Sequence, residues 1–506
     1  MAHQQGSWFE TPRADRRWLH PELDPIDPST IGRFNVTTWE QYSRDYHWME
    51  GARRLLTQGT IKELEPQPTK EELPSVRCSE DARRFLGKLA QTNEGTSLLR
   101  PFEYPDVLKE TCGLFLTPKK ENTFRLIFDA RRANARLERL NGFRLFTLDD
   151  LIHAMGNLMA KGPVYAWTCD FRHFFYQLGL ARPLQQWFGI RGFGKDEIYF
   201  PNVWPMGFHS SPEVAQCVSW TAVLAREKKD ESSLAVTPPK DRMPTVLPIV
   251  TKKGIQGYIF VLLDNILVAT DDKSLTAKWQ ERITRNIRIL KLEVKKGAET
   301  GFVNLDSHTE GGDPPSPEST LTFAGVEFSK WEWRSSSGDR PVPDWNNLIT
   351  RTDALKIAGS LLWDLRVRQE RLREYPQFRR LYREVGSHVT KEGEDGLDGR
   401  YHMDDAMKAE LTVIKEARQR RVFVWKREPP FVPTIKVWAA TDATPNSIAW
   451  VITRTEDAHR PCARDEVQSL DSRPMRGPPR PKTSLTMSSW LLWSYRKNCG
   501  DAQTVR

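Results

Sequence analysis

The stretch Tyr258 to Thr270 reads Y-I-F-V-L-L-D-N-I-L-V-A-T, one acid, Asp264, beside one amide, Asn265, between two arms with almost no polar side chains. Apolar runs of this length, rich in Ile, Val and Leu, predict buried strands, and the Asp-Asn pair between them predicts a tight hairpin turn. A carboxylate set into such a hairpin without compensation is costly or neutralises, so its expected partner is a cation. The plainer reading of Asp264 is an ordinary turn residue, common on any sheet. A second acid shares the setting: Val164 to Asp170, V-Y-A-W-T-C-D, is a strand-like run ending in Asp170, followed by the aromatic cluster F-R-H-F-F-Y-Q from Phe171 to Gln177.

The neighbours of these two acids change the weighing. Ahead of Asp170, Leu114 to Asn134 (L-F-L-T-P-K-K-E-N-T-F-R-L-I-F-D-A-R-R-A-N) reads as two strands around a basic, polar turn. Between the acids, Trp204 to Gln216 (W-P-M-G-F-H-S-S-P-E-V-A-Q) is a Pro-Gly bend leading into a helix. After them, Leu321 to Phe328 (L-T-F-A-G-V-E-F) reads as another strand with a central Gly.

With these residues in view the chain resembles a reverse transcriptase, in order, across roughly residues 48 to 380. The family's fingers pattern matches Lys119, Lys120, Arg125, Asp129, Arg131 and Asn134, and its first catalytic motif matches Asp170, Phe175, Tyr176 and Gln177. The P-x-G bend with its downstream S-P matches Pro205, Gly207, Ser211 and Pro212. The two-acid hairpin, normally aromatic-x-Asp-Asp, matches Leu262, Leu263, Asp264 and Asn265, and the F-L-G primer-grip strand matches Phe323, Ala324 and Gly325. No single match is strong, and five in the right order leave little room for chance. The details look most like retroelements of the DIRS and VIPER type, which carry a tyrosine recombinase, and next most like pararetroviral and Gypsy-like polymerases. A start similar to RNase H, Val437 to Val451, follows the helical stretch, in an order shared by all three. No aspartic-protease, integrase or recombinase signature is visible, so the chain is expected to be the polymerase portion of an element.

The resemblance implies an α+β right-hand polymerase with fingers, palm, thumb, a helical connector and an incomplete RNase H-like segment. It implies an RNA-directed DNA polymerase whose substrates are an RNA or DNA template-primer and deoxynucleoside triphosphates. Asp170 and Asp264 would bind two Mg²⁺ ions, with Mn²⁺ as the alternative ion, activating the primer 3′-hydroxyl and stabilising the leaving pyrophosphate. Asn265 sits at the third position of that catalytic set. Lys119, Lys120 and Arg125 would clamp the triphosphate, with a solvated hairpin tip as the competing reading. Phe175 would sit under the sugar and exclude a 2′-hydroxyl, or is a plain core aromatic. Met206 would lie beside the nucleotide. Gly207 would let the backbone approach the template-primer, or is a turn glycine. Phe323 and Gly325 would form the primer grip.

Composition agrees without deciding. In 506 residues there is room for two or three cores, and 75 basic against 66 acidic residues give +9, which favours a polyanionic partner. Cys78, Cys112, Cys169, Cys217, Cys462 and Cys499 are scattered singly, with no C-x-x-C, which argues against a disulfide framework or zinc knuckle and for a reducing compartment. The first ten residues lack an apolar signal core, and no run suits a membrane helix. The expected location is intracellular, cytoplasmic or nuclear, without secretion or a membrane partner, and the oligomeric state stays open.

Breaks in periodicity suggest an irregular extension over 1–45 and fingers and palm over 46–343. Within the latter, Ala52 to Leu64 reads as a helix, a Gly stop and a short strand, and loop insertions are expected near 65–110, 226–256 and 304–319, the last disordered. A helical thumb is expected over 344–390, with Leu348 to Val385 helical. A connector follows over 391–432, helical from Asp404 to Val424, and then a truncated RNase H-like segment over 433–506.

Three departures bear on activity. Asn265 replaces the second hairpin acid and removes a negative charge while leaving a weaker amide ligand, a pattern some RNA-virus polymerases carry. Leu262 replaces the usual aromatic, and Met206 replaces a polar Gln or an aromatic. Asp271 and Asp272 read as caps of a helix beginning near Ser274 rather than as substitutes. The alternative function is a catalytically silent nucleic-acid-binding relic or coopted protein. For the RNase H-like segment, Asp442 stands at a strand end, yet no acid occurs from Ser472 to Gly500, a span that includes the expected helix Ser484 to Lys497. Asp442 is therefore read as vestigial and that activity as absent.

Overall fold

Alternation within the apolar run shapes the centre of the molecule: successive side chains on each arm face two different cores, so both faces of the sheet are buried and almost no polar position survives. The structure is a computed structural model. It describes residues 31–65, 86–87, 89–90, 97–101, 108–118, 124–191, 197–225, 236, 238–295, 303–305, 320–329, 332–336, 342–345, 349–392, 399–418, 420, 422–423, 437–443, 447–454 and 468–471. Helices and strands are mixed, and the chain divides into two units, Met1–Trp425 and Lys426–Arg506.

In chain order the first unit carries α1 (Val36–Ser43), α2 (Glu50–Gln58), β1 (Gly113–Pro118), β2 (Phe124–Asp129), α3 (Leu148–Lys161), β3 (Tyr165–Asp170) and α4 (Ser211–Leu224). There follow β4 (Val246–Thr251), β5 (Gly254–Leu262), β6 (Asn265–Thr270), α5 (Lys273–Ile289), β7 (Val303–Asn304), β8 (Leu321–Phe323), β9 (Val326–Ser329) and β10 (Glu332–Ser335). The unit closes with α6 (Arg351–Val367), α7 (Pro376–Glu392), α8 (Asp405–Glu416) and β11 (Val422–Phe423).

The central sheet is antiparallel in the order β7-β3-β6-β5-β4. Trp167, Cys169, Ile259, Val261, Ile266 and Val268 enter one core with Val214 and Val218 of α4 and Trp279 and Ile283 of α5. Ala166, Phe260, Leu267 and Ala269 enter a second core with Leu151, Met155 and Leu158 of α3 and with Phe323, Val326 and Phe328. Local chemistry sets the helix starts. Thr147 and Asp150 form a reciprocal capping box on α3, and the Asp272 carboxylate accepts from the Ser274 and Leu275 amides at the start of α5. Asp271 instead accepts from Gln256 Nε2 at 3.1 Å, so only one of the two acids caps the helix.

Several elements differ from the sequence expectation. The hairpin turn falls on Leu263 and Asp264, because Leu262 pairs with Asn265, which is the first residue of β6. Leu321 to Phe328 is a hairpin rather than one strand: Ala324 (φ 48°) and Gly325 (φ 77°) are both left-handed, as a two-residue turn matched to strand twist requires. Residues 31–45 are not irregular, since Phe34 and Trp39 are buried and Asn35 caps α1; residues 1–30 lie outside the described residues. After the α2 helix and its Gly59 stop, Glu63 makes only an isolated bridge with Leu137.

The expected insertions also hold ordered structure. In 65–110, Leu99–Pro101 pairs with Ile198–Pro201. In 226–256, β4 forms an edge of the central sheet. Residues 306–319 lie outside the described residues. The expected thumb helix is two helices, broken where Gln369 turns left-handed (φ 56°) and Pro376 begins α7. The helices α6, α7 and α8 share a third core around Leu361, Leu381 and Leu411. The stretch expected as a helical connector ends in β11, which pairs with β10 rather than continuing as helix.

In the second unit, β12 (Val437–Ala443), β13 (Ser447–Arg454) and β14 (Gln468–Asp471) form an antiparallel sheet in that order. The expected helix over 484–497 lies outside the described residues. Among the described residues no helix is long and apolar enough to cross a membrane.

Candidate active site

The antiparallel register brings the two acids together. Asp170 ends β3 directly opposite Asn265, the first residue of β6, and the Phe171 amide donates to the Asp264 carbonyl at 2.8 Å. Asp170, Asp264 and Asn265 therefore share one end of the central sheet. Asn265 Nδ2 donates to Asp264 Oδ1 at 3.1 Å, so the amide nitrogen, rather than a second carboxylate, meets that acid.

The turn carrying Asp264 is held from α4. Leu263 is left-handed (φ 54°), a conformation unfavourable for a bulky side chain, and persists because its surroundings over-determine it. Gln216 donates through Nε2 to the Val261 carbonyl at 2.8 Å and accepts at Oε1 from the Leu263 amide at 2.7 Å. The Ser219 hydroxyl donates to the Leu263 carbonyl. Gln216 and Ser219 are thus positioning residues for the turn. The sequence hides this, because an amide and a hydroxyl on a helix acquire the task only once the helix lies against the sheet.

Behind Asp170 a second clasp closes. Gln177, fully buried, donates to the carbonyls of Arg172 and Glu293 (3.0 Å to the latter) and accepts from the Glu293 amide at 2.7 Å. This ties the segment after α5 against the end of β3, where Phe171 bridges Val294 and the Lys295 amide donates to the Asp170 carbonyl at 2.9 Å. Lys295 Nζ lies 4.0 Å from Asp170 Oδ2. Residues 32–35 run along the same clasp, with the Gly32 and Phe34 amides donating to the Tyr176 and Gln177 carbonyls.

The expected nucleotide-side residues gather around β2. Tyr176 Oη donates to the Leu126 carbonyl at 2.7 Å, joining the short helix Phe174–Gln177 to β2, and Phe175 on that helix is half-buried. The Phe128 amide donates to the Met206 carbonyl at 2.8 Å. Asn134 spans the bend, donating to the Gly207 carbonyl at 3.0 Å and accepting from the His209 amide at 2.9 Å. At Gly207 (φ 130°) a Cβ would come within 2.0 Å of the Phe128 carbonyl oxygen, so the close approach that demands glycine here is to the chain's own β2. Arg125 pairs through its backbone with Thr117; Lys119 and Lys120 lie outside the described residues.

The primer-grip candidates have internal partners. Phe323 is buried and stacks on Phe146 with centroids 5.9 Å apart, and the Gly325 carbonyl accepts from Trp363 Nε1 at 3.4 Å. Asp442 lies on β12 opposite Ala449 in the second unit.

Two titrating groups sit where the segment after β2 meets α4. The Glu213 carboxylate accepts from the Gly142 amide at 3.0 Å, and burial pushes its pKa up against the opposing pull of the Gly142 and Phe143 amides and of Arg139. His209 bridges Ser210 Oγ at 2.9 Å and the Leu137 carbonyl at 3.0 Å; burial pushes its pKa down, opposed by the Leu137 hydrogen bond and helped by Arg139. The thiols of Cys112, Cys169 and Cys217 are all buried.

Two carboxylates and an amide oxygen at one sheet end are hard oxygen donors of the kind that suit Mg²⁺ or Mn²⁺. Among the described residues no group of three or more His, Cys, Asp or Glu gathers as a metal site.

No family model matches the sequence, and no curated protein matches it. Among solved structures, similar ones include the foamy viral protease-reverse transcriptase dRH in complex with double-stranded DNA. The identity is 12% and the TM-score 0.45, over 96% of this chain and 76% of that chain. Another is the foamy viral protease-reverse transcriptase in complex with double-stranded DNA, at 12% identity and a TM-score of 0.44, over 94% of this chain and 89% of that chain.

Proposed function

We propose that the chain is a template-directed nucleotidyltransferase of the reverse-transcriptase type, adding deoxynucleotides to a primer on an RNA or DNA template. The observation that carries the reading is the register of β3 against β6, which sets Asp170 beside Asn265 and the Leu263–Asp264 turn at one sheet end. In this reading the sheet is the palm, the β1–β2 hairpin belongs to the fingers, and α6 and α7 form the thumb.

Asp170 and Asp264 would hold divalent metal, with Asn265 Oδ1 as a weaker donor. When bound, such a cation lowers the pKa of an attacking hydroxyl and neutralises charge on a leaving phosphate. The chain's own contribution is orientation. Gln216 and Ser219 fix the turn, Gln177 fixes the end of β3, and Asn134 fixes the bend that carries Met206 beside β2. Lys119, Lys120 and Arg125 would meet triphosphate oxygens as charge-assisted donors. Phe175, half-buried on its short helix, would face the sugar. The β8–β9 turn with Phe323 and Gly325 would steer the primer through its backbone, because the Phe323 ring is engaged by Phe146.

Magnesium-dependent extension of a primed RNA by purified protein, lost in Asp170→Asn, tests this reading. A second reading has an observation of its own: the Asn265 amide donates to Asp264, a contact that a charge-deficient, silent site tolerates well. That reading, a nucleic-acid-binding relic, predicts template-primer binding without extension. In both readings Asp442 is vestigial, and cleavage of an RNA–DNA hybrid is expected to be absent.

A further inference from the structure

The segment from Asn134 to Gly142 forms a strap joined at both ends to residues 207–213. At one end Asn134 holds the Gly207 carbonyl and the His209 amide, at 3.0 and 2.9 Å, and the Leu137 carbonyl meets His209 Nε2 at 3.0 Å. At the other, the Gly142 amide donates to both oxygens of Glu213, at 3.2 and 3.0 Å. From Arg139 to Phe146 the chain has neither helix nor strand. Its other polar contacts there are long: the Leu140 amide lies 3.4 Å from Ser210 Oγ and the Arg144 amide 3.4 Å from Met243 Sδ. The Glu213 carboxylate, which also draws on the Phe143 amide, is therefore the strong fastening of this stretch.

An acid in the first turn of a helix is ordinarily solvated, beside that helix's own free amides. Glu213 stands in the first turn of α4, yet it is only 4% exposed and is turned to a different segment. Burying a carboxylate is costly where an apolar side chain would simply pack, and what the charge adds is direction. The fit leaves no slack, since a Cβ at Gly142 would come within 2.7 Å of Glu213 Oε1. Because the other end of the strap holds the Met206–Gly207 bend through Asn134, fixing the strap against α4 also fixes the bend. We propose that Glu213 is a positioning residue for the incoming nucleotide: its carboxylate fastens the strap to α4 and so holds the Met206–Gly207 bend in place beside β2. This rests on the polymerase reading, in which the bend borders the nucleotide, and adds to it a residue outside the metal centre.

Single-nucleotide extension by the full-length protein, followed across deoxynucleotide concentration, separates positioning from folding. Glu213→Ala is expected to raise the nucleotide KM about tenfold, with kcat and template-primer affinity within about twofold of wild type. Glu213→Gln keeps one oxygen for the Gly142 amide and is expected to recover most of that loss. Gly142→Ala, whose methyl displaces the carboxylate, is expected to raise the KM on its own and to add nothing in the Glu213→Ala background. An unchanged KM in Glu213→Ala, a Gln variant no better than the Ala variant, or two changes that multiply independently overturns the inference, while extension by the wild type leaves the polymerase reading standing. If the wild type extends no primer, the polymerase reading falls and takes this inference with it. Thermal unfolding checks each variant; should Glu213→Ala not fold, Gly142→Ala decides, and an unchanged KM there overturns the inference.

Discussion

At Gly207 a single hydrogen atom is what the fold has room for. Its φ of 130°, and the 2.0 Å that would separate a Cβ there from the Phe128 carbonyl oxygen, together forbid a side chain, whereas at Gly254 the φ of 95° is strained but nothing lies within 4 Å. Gly207→Ala should therefore cost about 3 kcal/mol or more, and Gly254→Ala about 1 kcal/mol, read as shifts in urea unfolding. Equal losses would mean that the bend is not seated on β2. The glycine was legible in the sequence as part of a P-x-G bend, but not the partner that requires it, because Phe128 lies far away along the chain. Asp264 was legible in the same partial way. An Asp-Asn dipeptide in an apolar run reads as a turn, yet the turn falls one residue earlier, because Gln216 and Ser219 hold Leu263 in a conformation its own side chain disfavours.

Among elements, the two arms around Asp264 were legible as strands because burial on both faces leaves an unbroken apolar pattern. Elements set by distant contacts were not: β11 pairs with β10 across a long sequence separation, and the break between α6 and α7 depends on a left-handed Gln369 that no glycine announces. The contact of α4 with the turn that carries Asp264 makes its own prediction. Gln216→Ala strands the buried Val261 carbonyl and Leu263 amide and should lower stability by about 2 kcal/mol. The rate of primer extension should fall beyond what that loss of folded protein explains, and an unchanged rate would detach α4 from the site.

The N-terminal end of α4 gives a pH dependence. His209 has its pKa lowered from an ordinary value near 6.5, so the unfolded chain takes up a proton first as pH falls. Its contribution is complete above that value and is lost as pH drops from about 6.5 through the folded pKa. The raised pKa of Glu213 acts in the opposite sense, favouring the folded state at acid pH and losing that contribution as pH rises through its folded value. The unfolding midpoint should fall between pH 7 and pH 5.5 more steeply in the wild type than in His209→Gln. Parallel profiles would show that His209 is exposed in solution.

For the whole molecule, a formal charge of +9 spread over 506 residues favours a polyanion without naming one. If the partner is template-primer held through phosphate, affinity should fall steeply with salt, vary little with sequence and survive Asp170→Asn. Salt-insensitive binding, or binding confined to one sequence, would count against a polymerase groove. The polymerase reading depends on Asp170 and Asp264 acting as one centre, brought to one sheet end by the pairing of β3 with β6. A double-mutant cycle on single-nucleotide extension tests this, using Asp170→Asn, Asp264→Asn and both, with template-primer binding measured in parallel. Each single change should lower the rate about a hundredfold or more, and the double should lose little beyond either one, as members of a unit do. Losses that multiply independently, or extension that survives Asp170→Asn, would show that the two acids do not form a shared centre.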